Sequence, residues 1–221
     1  MNYKDKMDTV IQKIEDARIS VSEHHVVKLI AVSKYSTVQE IKAMYNAGQR
    51  AFGENKVQDL IVKENELEDF PLEWHFIGHL QKNKIKHLVK ANPFLIQSLD
   101  NIALALQLDK HLQANQQQVD ALLQINSANE ITKSGVAPEQ ALDIYDEISQ
   151  RCNSINLKGV MSIGAHTDDT KIIQQSFEIT HNIYSKINGA TICSMGMSHD
   201  FELAIKCGSN MVRIGSMLFQ D

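Results

Sequence analysis

Short apolar runs alternate with amphipathic stretches along almost the whole chain of 221 residues. The apolar runs are rich in β-branched residues and end at polar or glycine-containing turns, a pattern that predicts buried strands. We expect eight strands, at residues 26–33, 50–53, 74–78, 94–98, 119–126, 157–163, 191–195 and 211–214. The stretches between them indicate helices, so β and α units are expected to alternate.

Signals for helix ends support this alternation. Thr37 with Glu40 three residues later forms a capping box at the start of one helix. Ser198 is expected to cap a helix over 201–207, because a serine hydroxyl satisfies a free backbone N–H at a helix start. A further helix, over about 4–22, precedes all the strands.

Alternating units predict one domain over residues 1–221, a single-domain (β/α)8 TIM barrel with an extra N-terminal helix. An open doubly wound sheet is the alternative, but no Gly-x-Gly-x-x-Gly follows the first strand and no Walker motif is present. Barrels gather functional groups where their strands end. The residues at or just beyond the predicted strand ends are Lys34, Asn55, His79, Asn126, Ser162, Met195 and Arg213.

Composition excludes several classes of protein. The net charge of −5 comes without any Lys/Arg-rich block, so a nucleic-acid partner is not expected. No run approaches membrane-spanning length, and the polar first residues do not resemble a signal peptide. The three cysteines, Cys152, Cys193 and Cys207, form no Cys-x-x-Cys pair, which favours small core residues in a reduced, cytoplasmic protein.

Two strand ends carry the candidate chemistry. Lys34 ends the first apolar run, and Arg213 precedes the Gly215-Ser216 turn after the last one. A lone amine can form an imine, an arginine can donate to a pyridine nitrogen, and backbone amides at a helix start can bind a phosphate. Ser198, after the seventh strand, offers a hydroxyl to the same anion. These groups together suit pyridoxal phosphate.

Simpler interpretations of these residues remain open at this stage. Lys34 can be a solvated lysine, Arg213 can belong to a structural salt bridge, and Ser198 can be a helix cap alone. His75 and His79 have the spacing of a helical metal pair, but their segment is predicted to be a strand and a turn. No metal site is therefore expected.

Several motifs occur in the order found in one known family. The chain resembles the pyridoxal phosphate homeostasis proteins (the YggS/PROSC family), which are alanine racemase-like barrels of pyridoxal phosphate fold type III. The matching segments are AVSKYS at 31–36, AFGENKVQDL at 51–60, WHFIGHLQKNK at 74–84, QINSANEITKSG at 124–135, LKGVMSIG at 157–164 and SMGMSHDFELAIKCGSNMVRIG at 194–215. Together they span nearly the whole chain.

The resemblance implies roles for particular residues. Lys34 would carry the cofactor as an imine, Arg213 would face the pyridine nitrogen, and Ser198 with the backbone of Gly215 and Ser216 would hold the phosphate.

Further positions follow from the same resemblance. Asn55 and Met195 would line the pocket, and Lys133 would be an accessory amine near the mouth. The chain departs from the usual family pattern at three places around that mouth: Tyr35-Ser36-Thr37, the lack of a proline near Gly164, and Gln220 after Phe219.

Three functions compete. The first is a pyridoxal phosphate carrier or regulator without dedicated turnover, which is the function that the resemblance implies, with a monomer and cofactor-dependent apo-enzymes as recipients. The second is a racemase or decarboxylase that uses the same cofactor. An arginine at the ring nitrogen leaves that nitrogen unprotonated, which weakens carbanion chemistry and favours the carrier. The third is a class I aldolase, which would use a barrel lysine without any cofactor.

Overall fold

Eight parallel strands close into a barrel in chain order in the computed structural model, which describes residues 2–130 and 133–220. The strands are β1 (Lys28–Val32), β2 (Ala51–Glu54), β3 (Glu73–Phe76), β4 (Leu95–Leu99), β5 (Val119–Ile125), β6 (Ile155–Ser162), β7 (Ile192–Ser194) and β8 (Met211–Ile214). Closure is made by parallel pairing of β8 with β1, in which Arg213 lies opposite Ile30. The predicted (β/α)8 barrel is confirmed, and each expected strand is present.

Helices follow the strands and cover the outside of the barrel. The described residues form α1 (Tyr3–Ile19), α2 (Val38–Asn46), α3 (Val57–Glu66), α4 (Ile85–Ala91), α5 (Ile102–Ala114), α6 (Ala141–Arg151), α7 (Thr170–Tyr184), α8 (Phe201–Lys206) and α9 (Ser216–Phe219). The extra helix α1 packs against α8 and α9, so it lies beside the last strand. Among the described residues, no helix has both the length and the apolar composition needed to cross a membrane.

One of the two predicted helix caps is present. The Thr37 hydroxyl accepts from the backbone N–H of Glu40, and the Glu40 carboxylate accepts from the N–H of Thr37, which completes the capping box. The expected cap by Ser198 is wrong. Helix α8 begins only at Phe201, with Asp200 at its N-cap position, so Ser198 lies too far upstream. Its hydroxyl instead accepts a 3.3 Å hydrogen bond from the backbone N–H of Gly215.

Side chains along each strand alternate between the barrel interior and the helical layer. The apolar interior cluster consists of Ile30, Ala51, Leu95, Leu122, Met161 and Met211. Larger clusters lie between the strands and the helices. The three cysteines are free thiols, and burial raises the pKa of Cys193 to about 12 and of Cys152 and Cys207 to about 11. The thiols therefore stay protonated at neutral pH, as core packing requires.

Candidate functional site

A cavity of about 520 Å³ opens at the carboxyl ends of the strands. Six of the seven residues proposed from the sequence contribute to its lining: Lys34, Asn55, Ser198, Arg213, Gly215 and Ser216. They come from the ends of β1, β2, β7 and β8, and closure of the barrel brings the first two strands beside the last two. The cavity therefore combines an amine, a guanidinium, an amide, hydroxyls and backbone N–H groups.

Lys34 follows β1 on the same face as Val32, which also lines the cavity. Its side chain is half-buried, and its Nζ lies 5.0 Å from the centre of the exposed Tyr35 ring. In the ranges 2–130 and 133–220, no carboxylate forms an ion pair with this amine. An amine at a strand end without an anionic partner is available to a ligand.

The strand end before Lys34 is fixed by a buried polar cluster that the sequence did not reveal. The Glu54 carboxylate is fully buried, and its Oε1 accepts from the Ser33 hydroxyl at 2.6 Å and from Lys63 Nζ at 2.8 Å. Lys63 also donates to the Ser33 backbone carbonyl at 2.7 Å. The sequence did contain one signal for this cluster. Glu54 is a charged residue at the end of an otherwise apolar run, just before Asn55.

Arg213 lies on β8, directed into the barrel, and only 4% of it is exposed. One guanidinium nitrogen donates to the Ser194 hydroxyl at 2.6 Å, and the other donates to the Ser162 carbonyl at 2.8 Å. Burial lowers the pKa of the Arg213 guanidinium to about 10, against the attraction of Asp200, so the group stays protonated at neutral pH. Within the described part of the chain it forms no ion pair with a carboxylate, so the structural salt bridge is not seen.

The turn after β8 forms another side of the cavity. Gly215 precedes the short helix α9, and its N–H donates to the Ser198 hydroxyl at 3.3 Å. A Cβ at position 215 would lie 3.3 Å from the Val32 carbonyl oxygen, a tight contact against β1. Glycine thus lets this backbone lie close to β1, beside the end of the strand that precedes Lys34.

Asn55 supplies an unsatisfied polar atom. Its Oδ1 is buried and has no hydrogen-bond partner, although buried polar groups are normally paired. Its backbone is packed so closely against Gly78 that a Cβ there would lie 1.9 Å from the Asn55 carbonyl oxygen. The position of Asn55 is therefore constrained. Its Oδ1 can accept a hydrogen bond from a donor group of a ligand in the cavity.

Met195 was expected to line the pocket, and this is wrong. Its side chain is fully buried in the cluster between strands and helices. The preceding residue, Ser194, faces the barrel interior, and alternation along the strand turns Met195 outward. Met197, two residues later, lines the cavity instead.

Lys133 lies beside a second cavity of about 590 Å³. Its Nζ donates to Glu130 Oε1 at 2.8 Å and to the Gly164 carbonyl at 2.7 Å. Both cavities share Met197 and His199 in their lining, so they are neighbours at the mouth. The two residues before Lys133 lie outside the described residues.

His75 and His79 lie in different places. His75 is fully buried on β3, whereas His79 lies beyond the strand with its Nδ1 3.1 Å from Asp100 Oδ2. Among the described residues, no group of three or more His, Cys, Asp or Glu side chains is arranged to hold a metal ion.

Fold and cavity together define a barrel of the alanine racemase N-terminal type, and the family model described as "Alanine racemase, N-terminal domain" matches residues 8–221. A curated relative from Helicobacter pylori (strain J99) is 52% identical over 221 residues, covering 100% of both chains, and is called pyridoxal phosphate homeostasis protein. A Homo sapiens relative of the same name is 33% identical, over 88% of this chain and 76% of that one. The chain thus belongs to the pyridoxal phosphate homeostasis protein family.

Solved structures agree with this placement. The structure of PipY from Synechococcus elongatus was solved with pyridoxal phosphate (PLP) bound. It superposes on this chain with a TM-score of 0.80 at 32% identity, and the match covers 93% of this chain and 99% of that one. An unknown protein from Bifidobacterium adolescentis reaches 0.90 at 31% identity, over 98% and 94%. An alanine racemase from Clostridium difficile 630 shares the fold alone, at 15% identity and a TM-score of 0.74, and this chain covers 56% of it.

Proposed function

We propose that this protein binds pyridoxal 5'-phosphate as an imine to Lys34 and takes part in homeostasis of that cofactor inside the cell, without dedicated turnover. The observation that carries the proposal is the amine of Lys34 without an anionic partner in the same cavity as the buried guanidinium of Arg213. The names of the relatives, and the PLP bound to PipY, support the same ligand.

The residues present fit the proposed cofactor group by group. Its aldehyde requires an amine, which Lys34 supplies, and its phosphate requires N–H and O–H donors, which Ser198, Gly215 and Ser216 supply. The unsatisfied Oδ1 of Asn55 is the kind of orphaned acceptor that a polar ligand would satisfy. When bound, the cofactor supplies an electrophilic aldehyde and an electron-withdrawing ring.

Arg213 favours a carrier over a racemase or decarboxylase. A guanidinium is a donor only, so its contact with the ring nitrogen leaves that nitrogen unprotonated. A neutral ring withdraws electrons less strongly, and carbanion chemistry on it is weakened. The racemase and decarboxylase neighbours are 15% and 13% identical and share the fold alone, so they add no support for turnover.

The remaining parts of the proposal concern the state of the protein. We take residues 1–221 to act as one cofactor-binding domain and as a monomer that passes the cofactor to dependent apo-enzymes. The free thiols Cys152, Cys193 and Cys207 support a reducing, cytoplasmic location.

Absorption spectroscopy followed by chemical trapping tests the proposal. Purified protein mixed with pyridoxal phosphate is expected to develop the visible absorption band of a protein-bound imine, which borohydride bleaches. Peptide mapping should then find the reduced label on Lys34, with Lys133 unlabelled. Absence of the band after pyridoxal phosphate is added would argue against cofactor binding, and label spread over exposed lysines would refute a specific site.

A further inference from the structure

Polar side chains cross the interior of this barrel from its mouth toward its opposite end. Interiors of such barrels are normally filled by layers of bulky apolar residues. Here Arg213 Nη1 lies 2.6 Å from Ser194 Oγ, and Ser194 Oγ lies 2.7 Å from Gln97 Oε1. Gln97 Nε2 in turn lies 3.0 Å from His75 Nδ1. Arg213 is 4% exposed, and Ser194, Gln97 and His75 are not exposed at all.

The chemistry of the groups fixes the direction of this chain of hydrogen bonds. Arginine only donates, so the Ser194 oxygen accepts from Arg213 and its proton goes to the Gln97 carbonyl. The Gln97 amide group then donates to His75 Nδ1, which must carry a lone pair. His75 is therefore neutral, with its proton on Nε2. With the opposite amide orientation, the Ser194 oxygen would accept from both Arg213 and Gln97, and the Ser194 proton would lose the acceptor that Gln97 Oε1 provides.

Charged groups at the far end favour the same direction. His75 Nε2 lies 3.8 Å from Glu73 Oε2, too far for a hydrogen bond but near enough for attraction, and Glu73 pairs with Lys28. Burial lowers the pKa of His75, with a smaller contribution from Lys28, and the attraction of Glu73 opposes both. A protonated His75 would direct its Nδ1–H at the N–H of Gln97 and break the chain.

We infer that His75 and Gln97 are positioning residues for Arg213, acting through Ser194 to hold the guanidinium toward the cavity by hydrogen bonds that all run one way. The inference rests on the proposed function, because a guanidinium held in this orientation would donate to the ring nitrogen of the bound cofactor. Two neutral groups, the Ser194 hydroxyl and the Ser162 carbonyl, hold the Arg213 guanidinium. Its positive charge is therefore not paired with a carboxylate in these contacts. Without Gln97, the Ser194 proton would need another acceptor, and the lone pairs facing Arg213 would turn away.

Two ligands separate positioning from general stability. One is pyridoxal phosphate, and the other is its analogue with carbon in place of the ring nitrogen. The wild-type protein should prefer pyridoxal phosphate by about tenfold or more, the effect of one charged hydrogen bond. In Gln97→Leu and His75→Phe this ratio should fall toward one. The control Leu122→Val changes packing in the same interior cluster and should keep the wild-type ratio.

A measurement without cofactor supports the same test. Nitrogen NMR of the free protein should show the His75 proton on Nε2 and slow rotation of the Arg213 guanidinium, and rotation should speed up in Gln97→Leu but not in Leu122→Val. A proton on Nδ1 of His75, or weakening of both ligands by one factor in Gln97→Leu, would overturn the inference. If the wild-type protein binds both ligands equally, the inference fails although cofactor binding stands. If it binds neither, the proposed function fails, and the NMR result alone decides the hydrogen-bond chain.

Discussion

Lys63 donates a 2.7 Å hydrogen bond from its Nζ to the backbone carbonyl of Ser33. The contact joins helix α3 to the end of β1, one residue before Lys34. The same ammonium lies 2.8 Å from the fully buried Glu54 carboxylate, which also accepts from the Ser33 hydroxyl. The position of the candidate imine lysine is thus set from outside the barrel, by a cluster that does not touch the cavity.

Removing the cation from this cluster should destabilise the protein strongly. Lys63→Met leaves the Glu54 carboxylate buried without its partner, a change that typically costs about 3–5 kcal/mol. Urea denaturation measures the loss in the free energy of unfolding. The double variant Lys63→Met with Glu54→Gln removes both charges and should lose less than Lys63→Met alone. An equal or larger loss in the double variant would show that the ion pair is not the main contribution.

Lys34→Ala should abolish the borohydride-reducible imine while the fold survives. Lys34 is half-buried and makes no ion pair in the described residues, so its removal breaks no structural contact of that kind. The measurements are the visible absorption of the cofactor-treated variant, its reduced cofactor content by mass spectrometry, and its far-ultraviolet circular dichroism. Lys133→Ala is the matched control and should retain the label. Stoichiometric labelling of the Lys34 variant would assign the anchor to another lysine.

Ser198→Ala should weaken binding of the phosphate ester more than it alters the imine spectrum. The Ser198 hydroxyl lines the cavity beside the Gly215 N–H and does not cap α8. One hydrogen bond to a charged group is worth about 1.5–3 kcal/mol, so affinity for pyridoxal phosphate should fall roughly tenfold or more. Binding of pyridoxal, which lacks the phosphate, should barely change. Equal affinity of both proteins for the phosphate ester would mean that Ser198 does not contact it.

Local patterns were sufficient for the strands. Runs of β-branched residues placed every strand within about two residues, as for β6, which begins at Ile155 rather than 157. Helix α4 was not identified individually, because it begins at Ile85 without any side-chain cap and so offers little local signal. Strand ends then located Lys34 and Arg213, since barrel closure gathers such ends at one mouth.

Long-range polar partners could not be predicted from local patterns. Ser33 and Lys63 are 30 residues apart, and Ser194 and Gln97 are 97 apart, so nothing near either residue indicates the other. The prediction that Met195 lines the cavity was wrong for a different reason. Family motifs give a position but not the face of the strand, and only the direction of Ser194 shows that its neighbour turns outward.

Acid should destabilise the protein partly through His75. Burial is the chief cause that lowers the pKa of His75 from 6.5. Below pH 6.5, this imidazole therefore binds a proton more readily in the unfolded chain than in the folded one. Stability contributed by the neutral ring is complete above pH 6.5 and is lost as pH falls. The loss grows over the pH window that begins near 6.5 and extends downward, because the pKa of the folded His75 lies below that of the unfolded chain. His75→Asn should therefore show a shallower fall in the free energy of unfolding over that window. His24→Asn, on an exposed loop, controls for the loss of one histidine, and identical slopes in all three proteins would contradict the assignment.

The wild-type protein should show no appreciable racemase turnover. With cofactor bound, exchange of the α-hydrogen of L-alanine in deuterated water is expected to stay far below enzyme-like rates of roughly 1 per second. Slow exchange that persists in Lys34→Ala would come from free pyridoxal phosphate. Exchange with inversion at enzyme-like rates would contradict the carrier assignment.

Replacing the guanidinium tests the physical reason for that inactivity. A carboxylate in Arg213→Glu favours a protonated ring nitrogen, which withdraws electrons more strongly, so α-hydrogen exchange should rise by about tenfold or more, the effect of roughly 1.4 kcal/mol on the barrier. Arg213→Gln removes the charge without supplying a carboxylate and should give a smaller rise. Both variants lose the guanidinium that donates to Ser194 and to the Ser162 carbonyl, so cofactor occupancy must be measured first and the rates expressed per bound cofactor. If exchange stays at the wild-type level in a fully occupied Arg213→Glu protein, the protonation of the ring does not limit this site. The inactivity would then need a cause other than the electronic state of the ring.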